Sequence, residues 1–351
     1  MDPDPAEVTP PDATRRALDA LDRAVHLLDR GLAPRQKVRA FRRAAEVVGE
    51  LGSDELEERT SRGTLTELEG IGASTGSVIT AAVTGGPSAY LDELDRSTTI
   101  PVHEGAELRA ALRGDCHLHT TWSDGGASIA DMARTAAALG HEYLVVTDHS
   151  PRLTIAHGLS AERLAQQLDE IERVRAEVPV RILTGIEVDI LEDGTLDHPD
   201  EILERLDVVV ASVHSKLSMP ADRMTRRMVL AVANPHVDIL GHCTGRQIVG
   251  TPRPPSSFDA EVVFAACARF DTAVEINCRP ERMDPPDELL ALAVEWGCRF
   301  SIDTDAHATG QLEWQALGCD KAARVGVDPD DVVNTWDAER LLAWTAAHPT
   351  G

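Results

Sequence analysis

Aromatic side chains are scarce: five Trp, two Tyr and five Phe in 351 residues. Lysine is scarcer still, confined to Lys37, Lys216 and Lys321, so arginine carries nearly all the positive charge. That is a compositional bias running through the whole chain, and it reveals no function. Acids outnumber bases 59 to 34, a net charge of −25, which favours solubility and repels nucleic acid at long range. No apolar run approaches the roughly 20 residues that a helix needs to span a bilayer. The six cysteines (116, 243, 267, 278, 298 and 319) include no CxxC pair. Scattered thiols in a chain of this size point to a reducing cytoplasm rather than a disulfide framework. The opening MDPDPAEVTPPD is acidic and Pro-rich, the opposite of a basic and then apolar signal peptide. What is present is globular, 42% hydrophobic and 26% charged, which excludes a wholly disordered chain and allows two domains.

Residues 1–13 read as a disordered leader. From Thr14, the apolar positions Leu18, Leu21, Val25 and Leu28 recur at helical spacing, and Val38, Phe41, Ala45, Val48 and Leu51 repeat the pattern. Gly31 and Pro34 punctuate the two. Arg30, Arg35, Lys37, Arg39, Arg42 and Arg43 form the one local positive patch, with no acid between Arg30 and Ala45. A solvated helix face and a phosphate-contacting surface are both open readings of such a run. Next, TLTELEGIGASTGSVITAAVTG (64–85) reads as two short helices joined by Gly70-Ile71-Gly72, a helix-hairpin-helix with Leu65, Leu68, Ile71 and Ile79 as its seam. Glycines let a turn approach a phosphate closely, and the following helix offers it free N–H groups, although a plain turn has the same sequence. Gly70, Gly72, Arg35, Lys37, Arg39, Arg42 and Arg43 are the DNA-binding candidates of a helical domain over 14–95, with 96–111 as linker.

From about Leu112 the texture changes to strands alternating with amphipathic helices. Seven β-like runs fall at 112–117, 143–147, 180–187, 208–213, 237–241, 273–277 and 299–303. Helical stretches such as 160–176, 222–233, 258–269 and 287–296 lie between them. Repeated βα units predict an α/β fold, a parallel barrel whose strands feed one face. The residues that end each strand are the informative feature. The first run ends DCHLHTTWSDG, with His117, His119 and Asp124; the second ends TDHS, with Asp148 and His149. Glu187 lies in GIEVD, His214 in ASVHS and His242 in GHCTGR. The sixth run ends EINCR with Asn277, and the seventh DTDAH with Asp305 and His307. One such histidine is usually a hydrogen-bonded loop residue. Imidazoles and carboxylates at six of seven strand ends, without cysteine, point to Zn, Mn or Fe.

HLHTTWSDG, TDHS, the Glu187 strand, SVH, GHCTGR and TDAH resemble the PHP (polymerase and histidinol phosphatase) domain over roughly residues 112–347. SVHSKLSM, MTRRMVLAVANPHVDILGHCTGR and EINCRPERMD resemble the PHP module of bacterial and archaeal family X DNA polymerases, whose N-terminal helical domain residues 14–95 also resemble. Those polymerases carry palm and thumb between the two parts. Here only residues 86–111 stand there, too short for a nucleotidyl-transfer domain.

The resemblance implies a distorted seven-stranded (βα) barrel behind a small all-α helix-hairpin-helix domain, and up to three divalent metals (Zn, Mn or Fe). His117, His119, Glu187 and Asp305 would hold one metal. Glu187, His214 and His242 would hold a second, and Asp124, His149 and His307 a third. The implied activity is that of a hydrolase, cleaving a phosphate-ester substrate with metal-activated hydroxide and bridging Glu187. Arg246 and Lys216 would contact the phosphate, or form structural ion pairs, and Asp148 would orient His149. Cys243 stands where the polymerase relatives tend to have proline, and reads as a buried small residue; His157 is unassigned. The expected substrate is a DNA 3′ end, through 3′–5′ exonuclease or 3′-phosphatase action. Alternatives are a small-molecule phosphatase of the histidinol-phosphatase type and a non-catalytic DNA-binding protein with a relic barrel.

Overall fold

A computed structural model describes residues 12–348, which form two compact units divided between Thr99 and Ile100. The leader expected over residues 1–13 lies almost wholly outside the described residues. Asp12 and Ala13 already begin the first helix, where the Asp12 carboxylate caps it by accepting from Arg15 N at 2.7 Å.

The first unit contains α1 (Ala13–Arg30), α2 (Arg35–Glu50), α3 (Ser53–Arg62), α4 (Ala73–Thr84) and α5 (Ala89–Thr98). Ala17, Leu21, Ala24 and Leu28 of α1 fall on one face and are buried with Phe41, Val48, Leu56, Ile71, Val78 and Ile79. With so few aromatics, Phe41 is a large share of this core, and truncating it to Ala would cost about 3–5 kcal/mol. Between α3 and α4 the chain makes a single 3₁₀ turn (Leu65–Glu67) and then the glycine turn. Gly70 has φ +98°, and a side chain there would lie 3.0 Å from Arg43 Cγ, so the position needs glycine. Gly72 precedes α4, its N–H donating to Thr75 Oγ1 at 2.9 Å.

The second unit begins earlier than the sequence pattern predicts. Within 96–111, expected as linker, α5 ends and α6 (Ala106–Ala111) forms; the amides of His103 and Gly105 donate to the Asp320 carboxylate at 2.9 and 2.8 Å. Seven parallel strands come next in sequential order: β1 (Gly114–Leu118), β2 (Tyr143–Val146), β3 (Arg181–Asp189), β4 (Val208–Ser212), β5 (Ile239–Leu240), β6 (Ala273–Asn277) and β7 (Phe300–Asp303). Leu118 and Ala306 bridge in parallel beyond β7, bringing the last strand against the first in a nearly closed barrel. Helices α7 (Ile129–Ala138), α8 (Ala161–Arg175), α9 (Asp200–Leu203), α10 (Ala221–Val232), α11 (Ala260–Phe270), α12 (Asp287–Glu295) and α13 (Gln315–Val325) surround it. Helix α14 (Ala338–Thr345) closes the chain, and its Leu341 and Trp344 pack with Trp336 against Val208, Ile239 and Ala273 at the strands' N-terminal ends. Burial on both faces explains the near-continuous apolar strands, and parallel order places all the C-terminal ends on one rim. Gly185 permits close strand approach: a side chain would strike Val208 O at 2.7 Å. No helix among the described residues is long and apolar enough to cross a membrane.

Candidate metal centre

All nine residues expected as ligands stand at or just beyond the C-terminal strand ends, because side chains two apart on a strand face the same side. Glu187, buried in β3, is the hub. Its Oε2 lies 2.7 Å from His149 Nδ1, 3.5 Å from His117 Nε2 and 3.6 Å from His119 Nε2. Its Oε1 lies 2.9 Å from His242 Nε2 and 3.1 Å from His214 Nε2. One carboxylate thus divides five imidazoles between its two oxygens. Asp305 Oδ1 is 3.3 Å from His119 Nε2. Asp124 Oδ1 sits 3.3 Å from His307 Nε2 and 3.5 Å from His149 Nε2. Three groups of ligand-competent atoms each cluster within 4.8 Å: His119, Asp124, His149 and His307; His117, His119 and Asp305; His149, Glu187 and His214.

The rings are aimed by partners that sequence reasoning missed. Glu275 Oε1 is 2.5 Å from His117 Nδ1, and Glu275 Oε2 accepts from His242 N at 2.5 Å. Asp189 Oδ1 lies 3.3 Å from His214 Nδ1 and accepts the His214 N–H at 3.1 Å. Such partners fix which ring nitrogen faces inward. The signal was available: Glu275 is two residues before Asn277 and Asp189 two after Glu187, so each shares a strand face with a residue already singled out. Arg279 and Arg282 were also missed. Arg279 Nη1 is 2.8 Å from His307 Nδ1 and 3.6 Å from Asp305 Oδ1, and Arg282 Nε is 3.6 Å from Asp305 Oδ2.

Burial and neighbouring charge together set the electrostatics of the centre. Burial would raise the Glu187 pKa, but His214, His149 and His117 outweigh it and hold the carboxyl well below its usual range. Asp305 is likewise lowered, burial being outweighed by Arg279 and His119. Burial, with His307 and His149 nearby, pushes His119 well below an ordinary imidazole, while burial and Arg282 bring His242 to about 4. For His214, burial is overcome by Glu187 and Asp189, which raise it to about 9.

These residues fit divalent metal ions. Glu187 Oε2, His149 Nδ1 and His214 Nε2 are buried without a hydrogen bond, although they crowd one another. Unsatisfied buried polar atoms are costly unless something else satisfies them, and imidazole with carboxylate is a donor set suited to divalent ions.

The other candidates are placed differently. Asp148 does not touch the His149 ring. Its carboxylate accepts from Thr120 N (2.8 Å), Ser123 N (3.1 Å) and Gln167 Nε2 (2.6 Å), because adjacent residues point to opposite sides; it fixes the loop bearing His119 and Asp124. Arg246 spends Nε on Arg282 O at 2.8 Å and Nη2 on Met283 O, which draws the guanidinium to backbone carbonyls. Lys216 is exposed, 3.9 Å from Glu192 Oε1. Cys243 is buried, its thiol pKa pushed up by desolvation. In the helical unit Arg30 is buried against Asp95 at 2.6 Å. Arg42 faces Asp29 at 3.5 Å, Arg43 faces Glu46 at 2.8 Å, and Lys37 sits 5.4 Å from the Tyr90 ring centre. Arg35 and Arg39 are exposed.

The PHP domain family matches residues 115–243. The DNA polymerase/3′–5′ exonuclease PolX of Bacillus subtilis (strain 168) is 41% identical over 224 residues, 64% of this chain and 39% of that protein. The chain therefore spans well under half the length of that relative. A probable phosphatase of Thermoanaerobacter sp. (strain X514) is 34% identical over 236 residues, 63% of this chain and 89% of that protein. A solved histidinol phosphate phosphatase from Lactococcus lactis is 19% identical, with a TM-score of 0.42, covering 60% of this chain and 93% of that one. Matched to the Thermoanaerobacter relative along nearly all of the latter's length, with the expected ligands converging at one rim, the chain belongs to the PHP domain family of metal-dependent phosphoesterases.

Proposed function

We propose that this phosphoesterase acts on DNA 3′ ends, as a 3′–5′ exonuclease or 3′-phosphatase, with up to three Zn, Mn or Fe ions held by His117, His119, Asp124, His149, Glu187, His214, His242, Asp305 and His307. The observation that carries the hydrolytic reading is the single carboxylate of Glu187 set among five imidazoles, each of its oxygens within 3.6 Å of imidazole nitrogens, a donor set that would suit divalent ions. Divalent cations held by such donors supply Lewis acidity and bring the pKa of water towards neutrality. The chain's own residues position that chemistry. Glu275 and Asp189 fix the inward nitrogens of His117 and His214, and Asp148 holds the loop of His119 and Asp124. Arg279 and Arg282 stand beside Asp305, where guanidinium charge favours a phosphate dianion.

The DNA reading is supported by the 41% identity to the exonuclease relative and by a helical unit whose Gly70-Ile71-Gly72 turn leads into α4. A small-molecule phosphatase is the second reading. It is favoured by the probable-phosphatase relative, whose match spans only 63% of this chain and 89% of its own length. The test is the purified chain with Mn²⁺ and labelled single-stranded DNA. Trimming or 3′-phosphate release is expected. Its absence with Mn, Zn and Fe alike, together with turnover of phosphorylated metabolites, overturns the DNA reading.

A further inference from the structure

An open groove of about 560 Å³ lies between the loop after β1 and the loop after β2, lined among others by Thr121, Trp122, Ser123, Thr154, His157 and Arg163. None of its lining residues is acidic, in a chain of net charge −25. It adjoins the metal centre: Ser123 Oγ is 3.5 Å from Asp124 Oδ1, and the second loop is tied to the end of β2 by Leu159 N donating to His149 O at 2.7 Å. The walls are fixed. Gly158 passes so close to Ser150 that a side chain would meet its carbonyl oxygen at 1.8 Å. Arg163 joins the two loops, donating to the carbonyls of Trp122, His157 and Gly158. The Trp122 ring is held by its Nε1, which donates to Glu170 Oε2 at 3.1 Å, with the Arg163 guanidinium 5.9 Å from the ring centre.

An indole held by Glu170 at the wall of a non-acidic groove near Asp124 has a definite use. We infer that this groove is the leaving-group subsite, taking a heteroaromatic ring that stacks on Trp122. The inference rests on the phosphoester reading. Water adds across the P–O bond, phosphate stays at the ligand cluster, and the ring-bearing alcohol departs through the groove. The volume suits a nucleoside, within the range of about 300–1,000 Å³ usual for ligand pockets. Such a ring comes either from a nucleotide at a DNA 3′ end or from a small heteroaromatic alcohol. Arg163, its donors spent on carbonyls, is a positioning residue.

The experiment uses the full chain with Mn²⁺ and compares kcat/KM for thymidine 3′-monophosphate, histidinol phosphate and glycerol phosphate. In Trp122→Leu the ratio of ring-bearing to glycerol ester falls about tenfold, mainly through KM, and Trp122→Phe restores most of it. A fall for the thymidine ester names the nucleotide source, and a fall for the imidazole ester names the small alcohol. An unchanged ratio in Trp122→Leu overturns the subsite. A binding measurement separates this from the phosphoester reading. The Trp122 indole N–H resonance, identified by its loss in Trp122→Phe, should shift with thymidine 3′-monophosphate or histidinol phosphate and not with inorganic phosphate. If none of the esters is hydrolysed, the 3′-phosphatase and small-molecule phosphatase readings fail, while the indole shift still decides the subsite; no shift with either ring overturns it.

Discussion

The barrel rim and the helical unit handle charge in opposite ways. At the rim, five imidazoles crowd the Glu187 carboxylate, and several of their polar atoms have no hydrogen bond. In the helical unit half of the basic run is paired with its own neighbours, Arg30 with Asp95, Arg42 with Asp29 and Arg43 with Glu46, while Arg35 and Arg39 stay exposed. The first arrangement is costly for a chain alone and makes sense when a cation completes it. The second is what ordinary folding produces. Buried ligand-type atoms crowded together without hydrogen bonds therefore mark the site more sharply than a count of like charges along the sequence.

The strongest attempt to break this contrast is Glu187→Gln. The amide keeps the volume but removes the charge shared by both sets of imidazoles. Turnover should fall to background and bound metal should be lost, while circular dichroism and the unfolding midpoint stay close to wild type. Wild-type rates in that variant would end the bridging assignment. One layer out, Glu275→Gln leaves every direct ligand in place and loosens the aim of His117. The expected loss in metal affinity or activity is about 10–100-fold. Calorimetric metal titration checks it, and a loss as complete as that of Glu187→Gln would mean that Glu275 is itself a ligand.

The rim was legible in the sequence because topology forces it. Seven apolar runs joined by helices leave almost no option but a parallel sheet, and the residue ending each run is then delivered to one face. That logic placed His117, His149, Glu187, His214, His242 and Asp305 without knowledge of any distance. It stopped one layer short at Glu275, inside the run 273–277, and at Asp189, two residues beyond the run 180–187, although each shares a strand face with a residue already singled out. It left two readings open where a long side chain chooses its own direction. Arg246 turns to the carbonyls of Arg282 and Met283 rather than to the centre, and sequence spacing carries no information about that choice. The basic run was visible too, but its partners Asp95 and Asp29 come from neighbouring helices, and only the fold reveals the pairing.

Asp29 tests whether neutralisation in the helical unit is complete. Burial raises its pKa to about 6, with Arg42 and His26 opposing only in part. A carboxyl raised from 3.8 in the folded state binds more protons folded than unfolded between those values, so its contribution to stability is full below pH 4 and lost as pH rises through 6. Asp29→Asn removes that loss. The variant should exceed wild type in unfolding free energy by about 1–3 kcal/mol at pH 7, and the gap should close below pH 4. A gap independent of pH, or a destabilised variant, would show that the Arg42 pair outweighs desolvation.

Gly72→Val asks whether the helical unit touches DNA at all, and its expected effect is the smallest. No atom lies within 4 Å of the position a Cβ would take at Gly72, and the residue is exposed, so valine meets no steric conflict within the unit. It would instead bar a phosphate from approaching the N–H groups at the start of α4. Losing one such contact is worth about 1–2 kcal/mol, a roughly five- to thirtyfold weaker DNA complex in a filter-binding titration at low salt. Hydrolysis of a small chromogenic phosphate ester at the barrel should be unaffected, since the residue lies in the other unit. Equal losses on both substrates would point to misfolding. Loss on neither would leave the glycine turn as a device for packing Ile71 into the core, and the barrel as the only part of the chain that meets substrate.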